Sequence, residues 1–129
     1  MNTKWVMTAA SLLLGVSGIV LTFAPDYIIR TLGMDPTQVS VLLGQIIGGL
    51  YVGFAMLNWM TKESLIGGIY NRPVAVANLT HFMIAGLALA KASISNAELP
   101  ILLLIVSVVY VILAILFGII LFRHPIPQK

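Results

Sequence analysis

Among the polar side chains inside otherwise apolar stretches of this 129-residue chain are Tyr51, Asn58, Asn78, His81 and Tyr110. Phenol, amide and imidazole groups donate and accept hydrogen bonds without carrying charge, which suits contact with an uncharged polar group on an apolar molecule. An ionisable residue deep within an apolar stretch marks a candidate site by default, and His81 is the only histidine inside one. The competing reading of His81 is a neutral imidazole, hydrogen-bonded to Tyr51 or Tyr110, that ties helices together. A second group, Lys62, Asn71 and Arg72 with Tyr70, surrounds a polar loop and could hold an anionic headgroup. Its plain alternative is a loop of snorkelling side chains that only orients the chain.

Other chemistries lack their parts. All four carboxylates (Asp26, Asp35, Glu63 and Glu98) lie in the loops or at the edge of an apolar stretch. Ion-coupled transport, which usually places a carboxylate in the membrane path, is therefore disfavoured. A Ser–His hydrolase needs a third group to orient the imidazole, and Asn78 is a weak substitute. His81 and His124 lie at different depths and cannot share a metal, while Met56 and Met83 read as packing. With no cysteine, disulfides and thiolate chemistry are excluded. Neither a cofactor nor a metal is expected.

The elements that must position these groups are set by composition. Hydrophobic residues make up 60% of the chain and charged residues only 9%, against about 25% charged in soluble domains. So short a chain cannot hide that much apolar surface in a water-soluble core. Four stretches, residues 3–24, 36–60, 73–92 and 97–122, each reach the roughly 20 residues needed to span a bilayer as a helix. The expected fold is an all-α integral membrane protein, a single domain over 1–129 forming an antiparallel four-transmembrane-helix bundle. The first stretch reads as a retained span, because its apolar run is long for a signal peptide and Pro25 would follow the cut. Tyr27–Arg30 reads as one interfacial helical turn ended by Gly33. Asp35 is the expected N-cap of the second span, with Pro36 at its first position and Gln38 completing a capping box. Asn96 is the expected N-cap of the fourth, with Glu98 and Pro100 in its first turn. Gly67 and Gly68 give the middle loop flexibility.

Lys4, Lys62, Arg72, Arg123 and Lys129 fall on one side of such a bundle, and Arg30 and Lys91 on the other. That bias predicts both termini in the cytoplasm. Trp5, Trp59, Tyr70 and Phe122 form the inner aromatic belt, with Phe23 and Tyr27 outside. The basic residues are scattered singly, so no nucleic-acid surface is expected. At helical spacing each span carries a small or polar stripe. The stripes are Ser11–Gly15–Gly18–Thr22, Gly44–Gly48–Tyr51–Ala55–Asn58, Asn78–His81–Ala85–Ala88–Ala92 and Ser107–Tyr110–Ala114–Gly118. A second small pair, Gly49 and Gly53, points about 140° away from Gly44 and Gly48 and is free to pack on another copy. At about 1.5 Å per residue, His81, Tyr51, Tyr110 and Ser11 all lie about 10–18 Å from the cytoplasmic side, with Asn58 and Asn78 shallower.

The four-span layout, the glycine-rich stretch LLGQIIGGLYVGFAMLNWM and the short polar inner loop resemble the DoxX-like group of small bacterial membrane proteins. That resemblance implies a four-helix bundle of the bacterial cytoplasmic membrane and, in some members, a tie to quinone-linked oxidation. The residues themselves point first to a non-enzymatic protein binding a lipid or other amphiphile, or serving as an accessory subunit of a membrane complex. A quinone-linked redox component and a small transporter are the alternatives.

Overall fold

The computed structural model describes residues 2–64 and 71–122. The expectations placed on Gly67, Gly68, Tyr70, Arg123, His124 and Lys129 lie outside the described residues. Those described form helices and connections only. In order they are α1 (Thr3–Phe23), α2 (Pro25–Thr31), α3 (Gln38–Thr61), α4 (Arg72–Ser95) and α5 (Ile101–Phe122). All but α2 are long and apolar enough to cross a membrane.

The helix ends follow local chemistry. Asn2 caps α1 through its side chain, which accepts from the Lys4 N–H. Ala24 leaves helical geometry before Pro25, as a residue preceding proline tends to. The short α2 closes on Gly33, whose φ of +78° suits glycine. There the Met34 N–H donates to the Ile29 carbonyl and the Gly33 N–H to the Arg30 carbonyl, a complete Schellman cap.

Two caps differ from expectation. Helix α3 starts at Gln38, two residues after Pro36, and its N-cap is Thr37 rather than Asp35. Thr37 and Ser40 cap each other reciprocally, a closed box that Asp35 with Gln38 does not make. Asn96 is the C-cap of α4, its Oδ1 accepting from the Glu98 N–H, and α5 begins only after Pro100.

The helices form two tight antiparallel pairs. In the first, α1 and α3 meet at Gly18 and Gly48. A Cβ on Gly48 would lie 2.8 Å from the Gly18 carbonyl oxygen, and one on Gly18 would lie 2.9 Å from the Gly48 oxygen. The Ser11 hydroxyl donates to the Ala55 carbonyl at 2.7 Å in the same interface. In the second pair, Gly86 of α4 lets α5 approach so closely that an added Cβ would meet Val111 N at 3.3 Å. Ser107 donates across this seam to the Gly86 carbonyl at 3.0 Å. Backbone approach of this kind is how helices gain packing where lipid supplies no hydrophobic drive.

Between the pairs, larger side chains interdigitate. Met7, Leu14, Phe82 and Phe117 are fully buried there, with Tyr110 almost so. The stripes of α1, α3 and α5 face inward largely as their spacing predicts. On α4 the line turns: the buried residues are Val74, Ala75, Asn78, Phe82 and Gly86, while Ala88 and Ala92 are exposed. A face that touches only α3 would run through His81, Ala85 and Ala88. Close contact with α5 rotates burial toward Phe82 and Gly86.

Lys4, Lys62, Glu63 and Arg72 gather at one end of the bundle, called here the basic end. The α2 turn and the 96–100 connection mark the far end. Trp5, Trp59, Phe23, Tyr27 and Phe122 are all exposed near the helix ends.

Candidate functional site

Asn58 and Asn78 lie opposite each other on α3 and α4, about one turn and two turns in from the basic end. Each amide donates to the other's oxygen, at 2.8 and 2.7 Å, and both residues are fully buried. Asn78 also donates to the Val74 carbonyl at 2.9 Å. The pair satisfies both amides within the protein and leaves little for a ligand. It is a polar tie between the two helix pairs.

Deeper along the same seam, His81 stands among four rings. Phe54 stacks on it at 5.2 Å between centroids, and Tyr51, Phe82 and Tyr110 lie at 5.4, 5.1 and 5.6 Å. The Tyr110 hydroxyl donates to the Tyr51 hydroxyl at 3.1 Å, so the Tyr51 proton remains unspent. The expected hydrogen bond from His81 to either tyrosine is not formed. Its Nε2 is buried and has no partner. Leaving such an atom unsatisfied costs about 1–3 kcal/mol, so its retention calls for an explanation. Tyr51, His81 and Tyr110 thus come together as the spacing predicts. Phe54 and Phe82 were missed, although Phe54 lies one helical turn from Tyr51 and Phe82 adjoins His81 in sequence. Among the described residues His81 joins no ion pair, so the groups on hand can hydrogen-bond or stack but cannot build a charge relay.

At the basic end, Lys62 lies over the Trp59 ring, its Nζ 2.9 Å from the centroid, a cation–π contact that holds the ammonium at the helix end. Asn71 and Arg72 open α4, without a side-chain cap from Asn71. Lys4 pairs with Glu63 at 2.7 Å, a contact joining the chain's start to the α3 exit that spacing did not reveal. The Lys4 ammonium holds the Glu63 carboxyl below the usual carboxylate range.

A feature absent from the sequence reading lies between α1 and α3, on the side away from α4 and α5. It is an apolar groove of about 400 Å³. Ser11, Gly15 and Ala55 form its floor, Val16 and Met56 its walls, and Trp59 and Met60 its end toward Lys62. The glycine at 15 is the signal that could have found it, because a small residue beside a tight seam leaves room above. Comparison with protein-family models, curated proteins and solved structures finds no match, so the chain's own geometry carries the functional reading.

Proposed function

We propose that this is an integral membrane protein that binds a lipid or related amphiphile, its chain in the α1–α3 groove and its anionic headgroup at the basic end. The observation that carries the reading is the groove itself, apolar along its length and lined in part by Trp59, over whose ring Lys62 lies. Such sites bury apolar surface and set a few polar groups at one end to fix orientation. Lys62 supplies the charge, whereas Asn71 and Arg72 open α4, which does not line the groove. The exposed apolar surface of all four long helices supports membrane insertion, and both termini lie in the cytoplasm by the charge bias of the connections.

Native mass spectrometry of protein extracted in mild detergent tests the reading. Wild type retains phosphatidylglycerol over phosphatidylcholine. Lys62→Gln reduces that preference, and Val16→Trp, which fills the groove, reduces retention of both. A wild type that carries no lipid, or variants that carry as much as wild type, would sink it.

A second reading rests on the unpartnered Nε2 of His81 and the unspent Tyr51 proton: an uncharged carbonyl, such as a quinone headgroup, hydrogen-bonds between them. A menaquinone titration followed by Trp59 fluorescence checks it, and a flat curve removes it. Self-association through Gly49 and Gly53 is a further part of the proposal, since a Cβ on either meets nothing within 4 Å in its own chain. Gly53→Leu lowers the mass measured in detergent if that face is used.

A further inference from the structure

The way burial is distributed along the helices points to a moving part. Toward the far end, beyond the level of Leu14, Tyr51, Phe82 and Tyr110, the buried residues of α1, α2 and α3 are Gly18, Pro25, Ile29, Gly44 and Gly48, all inside the first pair. Those of α4 and α5 are Gly86 and Ser107, both inside the second. No described residue beyond that level is buried between the pairs.

The face of α3 that looks toward α4 shows the same gradient. Asn58 at the basic end is 0% exposed, Tyr51 and Phe54 are half-buried, and Ile47 and Leu43 are 41% and 52% exposed. Ala88 and Ala92, facing them from α4, are exposed as well.

The ties between the pairs lie at mid-bundle or toward the basic end. The chain passes from one pair to the other only through residues 62–71, at the basic end. Among the described residues, the side-chain hydrogen bonds between pairs are Asn58 with Asn78 and Tyr110 with Tyr51. The far-end connections, α2 and residues 96–100, each stay within one pair.

We propose that the α1–α3 and α4–α5 pairs are two rigid bodies hinged at the basic end, and that their swing opens a lateral cleft at the far end with the His81 ring cluster at its apex. The glycine seams keep each body stiff, because backbone contact leaves no slack for sliding. The seam between bodies is made of rings that separate without breaking a backbone contact. Opening uncovers the buried His81 Nε2 to molecules diffusing in the lipid phase, and closing returns it to the ring cluster. This holds whether or not the α1–α3 groove binds lipid.

The absence of cysteine permits a direct test by spin labelling of the full chain in nanodiscs. Leu43→Cys with Ala92→Cys spans the pairs at the far end. Leu43→Cys with Ile19→Cys stays within one pair, and Met60→Cys with Val76→Cys spans the pairs at the basic end. A broad or two-component distance distribution for the first combination, with narrow ones for the other two, is the expected result. Three equally narrow distributions would overturn the hinge. A chemical readout is independent of the labels. In a His124→Gln background, diethyl pyrocarbonate acylates His81 more slowly once Ile47→Cys and Ala88→Cys are joined by a bis-maleimide. An unchanged rate would show that the far-end cleft is not the route to His81.

Discussion

The close α1–α3 approach at Gly48 permits a prediction in which most uncertain terms cancel. Gly48 and Gly49 are adjacent on α3, both in mid-helix, and face different surroundings. A methyl group added at Gly48 would sit 2.5 Å from the Thr22 hydroxyl oxygen, 2.8 Å from the Gly18 carbonyl oxygen and 2.8 Å from the Thr22 amide nitrogen. Two of these three are backbone atoms that cannot rotate away. The same methyl at Gly49 meets nothing within 4 Å. Replacing a mid-helix glycine by alanine gains about 1 kcal/mol of helix propensity at either position. The difference between Gly48→Ala and Gly49→Ala therefore isolates the steric term. Overpacking a close-fitted site costs about 1–3 kcal/mol, and a backbone clash belongs at the upper end. Gly48→Ala should thus be less stable than Gly49→Ala by about 2–3 kcal/mol. Titration with sodium dodecyl sulfate, followed by Trp5 and Trp59 fluorescence, measures it. Equal midpoints for the two variants would refute the argument that α1 and α3 are in backbone contact at this level.

Other outcomes follow from the polar groups. His81→Phe keeps the ring stack and removes an unpartnered nitrogen, so unfolding resistance in the same titration rises by about 1–3 kcal/mol; a large loss would mean that Nε2 does have a partner. Asn58→Ala and Asn78→Ala each strand the other amide, and the double variant recovers part of the loss, with a coupling of about 0.6–2 kcal/mol in a double-mutant cycle. Gly33→Ala costs about 1–2 kcal/mol although its new methyl would meet nothing, because the φ of +78° strains any L side chain. The Lys4–Glu63 pair steadies the start of α1 above the ordinary carboxylate pKa. That contribution is lost as pH falls through the depressed value of Glu63, and amide exchange at Thr3–Val6 should quicken there in wild type but not in Lys4→Gln.

What was legible in the sequence was whatever a single helix expresses by itself. Four long apolar stretches, the α2 turn with its glycine stop, and the small-residue stripes of α1 and α3 all followed from length, φ preference and periodicity. The α4 stripe did not, because that helix has two neighbours. Alanine at 85, 88 and 92 and glycine at 86 look alike as small residues, yet only glycine admits backbone contact, and so Gly86 decides which face α5 covers. The α3 cap was misplaced for a similar reason. Asp35 and Thr37 can both cap, and the choice falls to Thr37 because Ser40 reciprocates. The convergence of Tyr51, His81 and Tyr110 was readable from depth alone. That Asn58 and Asn78 would satisfy each other, and that His81 would be left unpartnered, depends on rotamers that sequence spacing does not specify.

The pairing of neighbours in sequence also bears on how the chain is made. Each glycine seam joins long helices that follow one another along the chain, α1 with α3 across the short α2, and then α4 with α5. The first unit can therefore complete its backbone contacts, α2 cap and Ser11 hydrogen bond before Arg72 is synthesised. The second can then fold on itself before it docks. No early helix has to wait for a distant partner with its seam bare to the translocon and chaperones, where incompletely paired surfaces invite misassembly. Short-range closure of this kind also keeps the contact order low. A nascent chain halted after the middle loop would already hold half of the finished molecule in its final form.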